Sequence, residues 1–174
     1  ILMCMLIAMT FCILIVSPFT TVGIGLAIGL SGIGSGAANL GICAAGFGLA
    51  VAGLKVNSVG TCIAHFIGSP KMSMANVIAK PKILLPMLCS SALLGVLAAV
   101  FSIQGTPASA GFGFSGLVGP IYALNLMENG WTVGNILLVA VIFVVAPIIF
   151  NIFFIHVFEK VVQWIQPEDY KLTV

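Results

Sequence analysis

Long apolar stretches separated by short polar interruptions run along the whole chain. Residues 1–16 are apolar until Ser17-Pro18 breaks the run. The next apolar segment, Pro18 to Gly53, carries no charge over 36 residues and holds 10 of the chain's 20 glycines. As one straight helix it would be about 54 Å long, well beyond a hydrocarbon core of about 30 Å. It is therefore expected to break at Ser31–Gly36, where Gly and Ser crowd together, leaving Ala37–Leu54 as one span. A polar stretch follows from Lys55 to Lys82, with a short interfacial helix expected over 66–78. The third span is read over Ile83–Ile103, with Pro86 in its first turn, where proline is tolerated. A second glycine-rich tract, Gly105–Pro120, is uncharged but interrupted too often by Gly and Pro for a continuous helix. The last span is read over Trp131–His156, with Trp131 as an interfacial anchor and a kink at Pro147. The tail, 158–174, reads as a short interfacial helix and a frayed end.

This pattern predicts an all-α integral membrane protein. We expect a bundle of about four spans, with one or two re-entrant or broken glycine-rich segments, forming a single transmembrane domain over 1–174. Ile1 lies inside an apolar run with no basic region or cleavage site before it. Residues 1–16 are thus read as a span rather than a signal peptide, and the chain as the later part of a longer protein.

Composition agrees: 61% of residues are hydrophobic and 6% charged, against about 25% charged in soluble domains. A net charge of +2 leaves no electrostatic footprint for nucleic acid. The five cysteines are scattered and mostly in apolar stretches, so they read as packing residues, with no metal-site spacing and no cofactor implied. Four of the six lysines fall in 55–82, which places that loop in the cytoplasm by the positive-inside rule. If the tract 105–120 enters and returns on the outer side, the last span runs back inward and the tail is cytoplasmic too. Irregular backbone survives at membrane depth only within protein or beside water, which favours this re-entrant topology over a full crossing. The two tracts also share an echo, Gly29–Ile33 (Gly-Leu-Ser-Gly-Ile) and Gly113–Leu117 (Gly-Phe-Ser-Gly-Leu), 84 positions apart.

The candidate chemistry lies in these tracts. Free backbone groups at half-helix ends, with Ser31, Ser35, Asn39, Thr106, Ser109 and Ser115, would bind a neutral polar solute. The competing reading is close helix packing through small residues, with the hydroxyls bonded back to the backbone. Thr61 and His65 share a helix face and are added to the solute site, His65 as ligand or proton relay. An interfacial histidine is the alternative. Glu128 is either the exit of a re-entrant segment or an exposed turn before a span. No catalytic triad or paired carboxylates are apparent, and enzymatic chemistry is not expected.

Gly-Ile-Gly-Ser-Gly-Ala-Ala-Asn-Leu-Gly (Gly32–Gly41), Val-Gly-Thr-Cys-Ile-Ala-His-Phe-Ile-Gly (Val59–Gly68), Ala-Lys-Pro-Lys-Ile-Leu-Leu-Pro (Ala79–Pro86) and Gly-Thr-Pro-Ala-Ser (Gly105–Ser109) carry a family resemblance. Over roughly residues 20–125 the chain resembles the IIC-type membrane components of phosphotransferase-system sugar transporters, in the branch with perfringolysin-regulator-like proteins. The resemblance implies an all-helical membrane domain with re-entrant elements, a sugar or related small polar solute, a homodimer, and a IIB-type partner that phosphorylates the sugar. The chain has no IIB domain and no Gly-Ile-Thr-Glu motif, so phosphorylation-coupled transport needs a separate IIB partner. The resulting expectation is sugar transport by alternating access in the plasma membrane. A solute-sensing regulator and a passive channel are the alternatives.

Overall fold

The computed structural model describes residues 1–172, and the last part of the expected frayed end, 173–174, lies outside the described residues. Nine α-helices are formed among them: α1 (Leu2–Ile15), α2 (Thr21–Ala27), α3 (Gly32–Gly53), α4 (Val59–Ile67), α5 (Met74–Ala79), α6 (Leu85–Val100), α7 (Val118–Leu126), α8 (Val133–Ala140) and α9 (Ala146–His156). Among the described residues the only strand-like pairing is an isolated antiparallel bridge between Gly32 and Gly105. Three helical stretches are long and apolar enough to cross a membrane: Gly32–Gly53, Pro81–Val100 and Val133–Val161. Leu2–Ile15 is a shorter apolar helix. The all-α membrane bundle expected from the hydropathy pattern is the observed fold.

Helix α3 is the hub. It packs against α1, α4, α6 and α9, and 94% of its most apolar stretch is buried, against 28% for Val133–Val161. Such crowding requires backbones to come very close. A side chain at Gly41 would collide with the Ala8 carbonyl of α1, and one at Gly36 with the Ile103 carbonyl. At Gly48 an added Cβ would lie 2.5 Å from Asn151 Oδ1. One glycine on each face thus admits one neighbour, which is the small-residue packing common between membrane helices.

The same contacts fix the directions. Ile7 lies at Gly34, Ala8 at Gly41, and Ser17 at the lysine-rich end against Lys71; Asn151 lies at Gly48, with Glu159 further on at Lys55. So α1, α3 and the last helix run the same way. Met87 lies at Gly48 and Ile103 at Gly36, so α6 runs opposite. Because α1 and α3 are parallel, residues 16–31 must climb back between them. They do so through the seven-residue α2, capped by the Thr20 side chain.

Three expected boundaries are corrected. The break in the first tract lies at Ile28–Ser31 rather than Ser31–Gly36. Gly32 to Gly41 is helix, because its glycines are filled by neighbouring backbones instead of bending the chain. The interfacial helix expected at 66–78 is instead α4, a 3₁₀ turn at Pro70–Ser73, and α5. Ser58 starts α4 early by accepting the Thr61 N–H, and Pro70 stops it. The last span does not end at His156 but continues to Val161. The disturbance expected at Pro147 is a π-helical turn at Val141–Val145, just before the proline that lacks an N–H.

All six lysines lie toward one end of the bundle. Lys55 pairs with Glu159 at 2.8 Å, and Lys80 and Lys82 pair with Asp169 at 2.7 and 3.1 Å. Lys71 Nζ donates to the carbonyl of Ser17 at the end of α1 (3.1 Å). Lys160 sits beside Lys55, and the Lys171 carbonyl accepts from Asn76. The polar loop 55–82 and the tail are therefore one surface. Tyr170 anchors it, its buried hydroxyl donating to the Ile83 carbonyl (3.2 Å).

Candidate functional site

Two hairpins enter the bundle from opposite ends and meet beside α3. The first starts at the lysine-rich end. Helix α4 runs antiparallel to α3, with Cys62 opposite Gly53 and the His65 carbonyl opposite Gly46. The chain turns at Gly68–Ser73 and returns through α5 to the tail, where Asn76 donates to the Lys171 carbonyl. The second hairpin starts at the other end, where Gly105 bridges Gly32. It descends as irregular backbone to Phe114, turns over Ser115–Leu117, and returns through α7.

The hairpin tips touch. Ser115 Oγ donates to the Gly68 carbonyl at 2.6 Å. Around this bond Phe47 of α3 stacks on Phe66 (centroids 4.7 Å apart) and meets Phe114 edge-on at 5.4 Å. A cavity of about 10 Å³ remains between the tips, lined by Ile42, Gly46, His65, Phe66, Phe114 and Ser115 among others. That is room for about one water. In this form the junction is closed.

The descending arm of the second hairpin is held by the first glycine tract. Ser35 Oγ donates to the Thr106 carbonyl (2.9 Å) and lies 3.5 Å from Ser109 Oγ. Thr106 and Ser109 close the Thr-Pro-Ala-Ser turn on each other: Thr106 N–H donates to Ser109 Oγ at 2.8 Å, and Ser109 N–H to Thr106 Oγ1 at 3.2 Å. Deeper, Asn39 Oδ1 accepts the N–H groups of both Gly111 (3.3 Å) and Gly113 (3.0 Å). Thr21 of α2 donates to the Gly111 carbonyl at 2.8 Å. Both donors to Asn39 are backbone N–H groups, so the orientation of its amide is determined. Its Nδ2 is buried with no partner among the described residues.

On the first hairpin, His65 is buried. Its Nδ1 lies 2.9 Å from the Thr61 carbonyl and its Nε2 lies 2.7 Å from Ser73 Oγ. A carbonyl only accepts, so Nδ1 carries a proton, and in the neutral ring Nε2 accepts from the Ser73 hydroxyl. His65 thus ties α4 to the turn after it. The shared face of Thr61 and His65 is realised through the Thr61 carbonyl. The Thr61 hydroxyl pairs with Ser58 (2.8 Å).

Of the nine residues proposed from the sequence, Ser35, Thr106 and Ser109 form one bonded cluster, Asn39 one turn further along α3 holds Gly111 and Gly113, and Ser115 and His65 line the junction below. Thr61 stands one turn back on α4. Ser31 is exposed and outside the cluster, because the chain break precedes it and α3 turns Ser35 and Asn39 inward instead. Glu128 does not join the cluster either. It is exposed in the turn between α7 and α8, and its carbonyl accepts from Asn135 (2.9 Å). It lines a separate cleft of about 410 Å³ with Ser102, Gln104 and Asn135. Some of the backbone groups expected to be free at the breaks are taken up between the two tracts: Gly32 and Gly105 exchange N–H to carbonyl bonds, and the Gly111 and Gly113 N–H groups go to Asn39.

A family model described as "Phosphotransferase system, EIIC" matches residues 1–172. The chain belongs to this family. As an EIIC-family chain with three membrane-length apolar helices, it is a membrane protein of a phosphotransferase transport system. Comparisons with curated proteins and with solved structures gave no match.

Sequence reading missed several residues that build this candidate site and its surroundings. Phe47, Phe66, Phe114 and Gly68 form the junction, yet aromatic and glycine residues in apolar segments carry no polar signal. Asn151 was also missed. It is buried in the last helix and donates to the carbonyls of Ala44 (3.0 Å) and Pro147 (2.8 Å). A lone Asn in an apolar span was the available signal.

Proposed function

We propose that this chain carries a sugar-like polar solute through the junction between the two opposed hairpins, by alternating access. The observation that carries the reading is the tip-to-tip contact itself. Chain segments from opposite ends meet through one side-chain hydrogen bond and an aromatic cluster, with a polar cluster directly above. A single hydrogen bond contributes about 1 kcal/mol net and an aromatic pair about as much again. Parting the tips therefore costs little, while α3 and its close-packed partners stay in place. Separation on one side at a time would open the site first to one face of the membrane and then to the other. A solute entering there would meet the unpaired Asn39 amide donor, the hydroxyls of Ser35, Ser109 and Ser115, and the His65 ring. Aromatic faces beside hydroxyl partners suit the mixed apolar and polar surface of a sugar.

In this reading the second hairpin is the re-entrant element, entering from the outer face. The six lysines at one end support a cytoplasmic position for the loop 55–82 and the tail. The chain supplies recognition and passage of the solute, and phosphoryl chemistry belongs to a separate IIB-type partner.

The test is uptake of a sugar panel into proteoliposomes, with cysteines placed at 68 and 115 in a background free of the native five. Cross-linking the tips should stop uptake, and reduction should restore it. Uptake that continues through the cross-linked protein would reject the junction as the path. Solute binding without flux in the unmodified protein would favour a sensor, and flux that never saturates would favour a channel.

A further inference from the structure

At the lysine-rich end, a groove between α3 and the last helix is used by neither hairpin. It has a volume of about 190 Å³. Val51, Ile152 and Ile155 form its apolar floor, and Lys55, Glu159 and Lys160 stand at its mouth with His156. Ile152 is exposed, so the floor opens sideways, towards the surface that the bundle turns to lipid. Lys55 Nζ takes only one carboxylate oxygen of Glu159, at 2.8 Å. The other, Oε1, is buried with no hydrogen-bond partner among the described residues. Two lysines against one carboxylate leave the mouth with a net positive formal charge.

A trough with an apolar floor and a cationic mouth matches a particular kind of lipid. An acyl chain covers the floor, and a phosphodiester of charge −1 balances the mouth. A zwitterionic headgroup would instead bring its own cation against Lys55 and Lys160. We propose that this groove binds one phospholipid with an anionic headgroup, of the phosphatidylglycerol class. The bound lipid would bridge α3 to the last helix at the end where Lys55 and Glu159 already join them.

The proposal is tested by native mass spectrometry of the full chain released from mixed micelles containing phosphatidylglycerol, phosphatidylethanolamine or phosphatidylcholine with identical acyl chains. One phosphatidylglycerol should be retained in preference to the other two. Lys160→Gln should lower that preference about fivefold, the effect of one lysine on an anionic lipid near a membrane surface. Lys171→Gln, at the same end but outside the groove, should leave it intact. Equal retention of the three lipids, or an equal loss with Lys171→Gln, would overturn the proposal, the latter by reducing the preference to the general charge of that end. Unchanged melting temperatures for both variants would show that the fold is not the variable.

Discussion

The two glycine-rich tracts have a similar share of glycine and opposite structures. From Gly32 to Gly53 the chain is an unbroken helix of 22 residues. From Gly105 to Gly116 it is turns and irregular backbone, with positive φ at Gly111 (105°), Gly113 (60°) and Gly116 (60°). In the first tract the glycines are spaces for other backbones. In the second they are shapes of their own backbone. The neighbours in sequence decide which. Between Gly36 and Gly53 the intervening residues are mostly Ala, Leu, Ile and Val, without Pro, so the helix survives a penalty of about 1 kcal/mol per glycine and recovers it through close packing. In 105–120, Pro107, Pro120 and closely spaced glycines leave no run long enough to propagate a helix.

The two regions agree at one place. In the echo, Gly29 and Gly113 have φ of 61° and 60°, and Gly32 and Gly116 both have 60°. The shared Gly-x-Ser-Gly pattern thus has matching left-handed glycines, and each copy leads directly into a helix.

Four measurements would break or sharpen this contrast. The largest effect is expected from Gly41→Leu, whose side chain collides with the Ala8 carbonyl. It should cost about 3 kcal/mol in detergent unfolding, whereas Gly134→Ala, in open space on α8, should be neutral or slightly stabilising. Equal effects at the two sites would show that α3 is not packed this closely. Next, Asn39→Ala removes the acceptor of two buried N–H groups and should cost about 2 kcal/mol. Solute binding should weaken with it, and unchanged isotherms for this variant and for Ser109→Ala together would reject the site.

A smaller and matched loss is expected at the echo. Gly32→Ala and Gly116→Ala both force a side chain into a left-handed backbone without a steric clash, at about 1–2 kcal/mol each. A large difference between them would dissolve the correspondence. The smallest effect concerns the tail. The Lys80 ammonium, with the Gln166 N–H and Lys82, holds the Asp169 carboxyl down to about 2. Its folded pKa is below the unfolded value, so its contribution is complete above pH 4 and is lost as pH falls through about 2. Trp164 fluorescence in a Trp131→Phe background should stay flat from pH 7 to 4 and change only below that. A transition near pH 6 would assign the docking to another group.

Much of the fold could be read from the chain because hydropathy is a local property. The apolar runs around 1–16, 37–54, 83–103 and 131–156 became helices, and the lysine-rich loop and tail share one end. Ser35, Asn39, Thr106 and Ser109 were legible as a set because polar residues in uncharged apolar tracts need partners. Ser31 and Glu128, read with them, stand apart and exposed, since a polar residue at the edge of such a tract can be satisfied by solvent instead.

By itself, then, the sequence determined an all-helical membrane chain, its approximate spans, its charged end, and its two glycine-rich tracts. Only the tertiary structure decided that α1 and α3 run parallel, that Asn39 receives Gly111 and Gly113, and that Ser115 meets Gly68 beside Phe47. The physical reason is distance along the chain. A run of apolar residues carries its own preference for lipid and helix. A bond between positions 68 and 115 exists only because α3 holds both hairpins at the same depth.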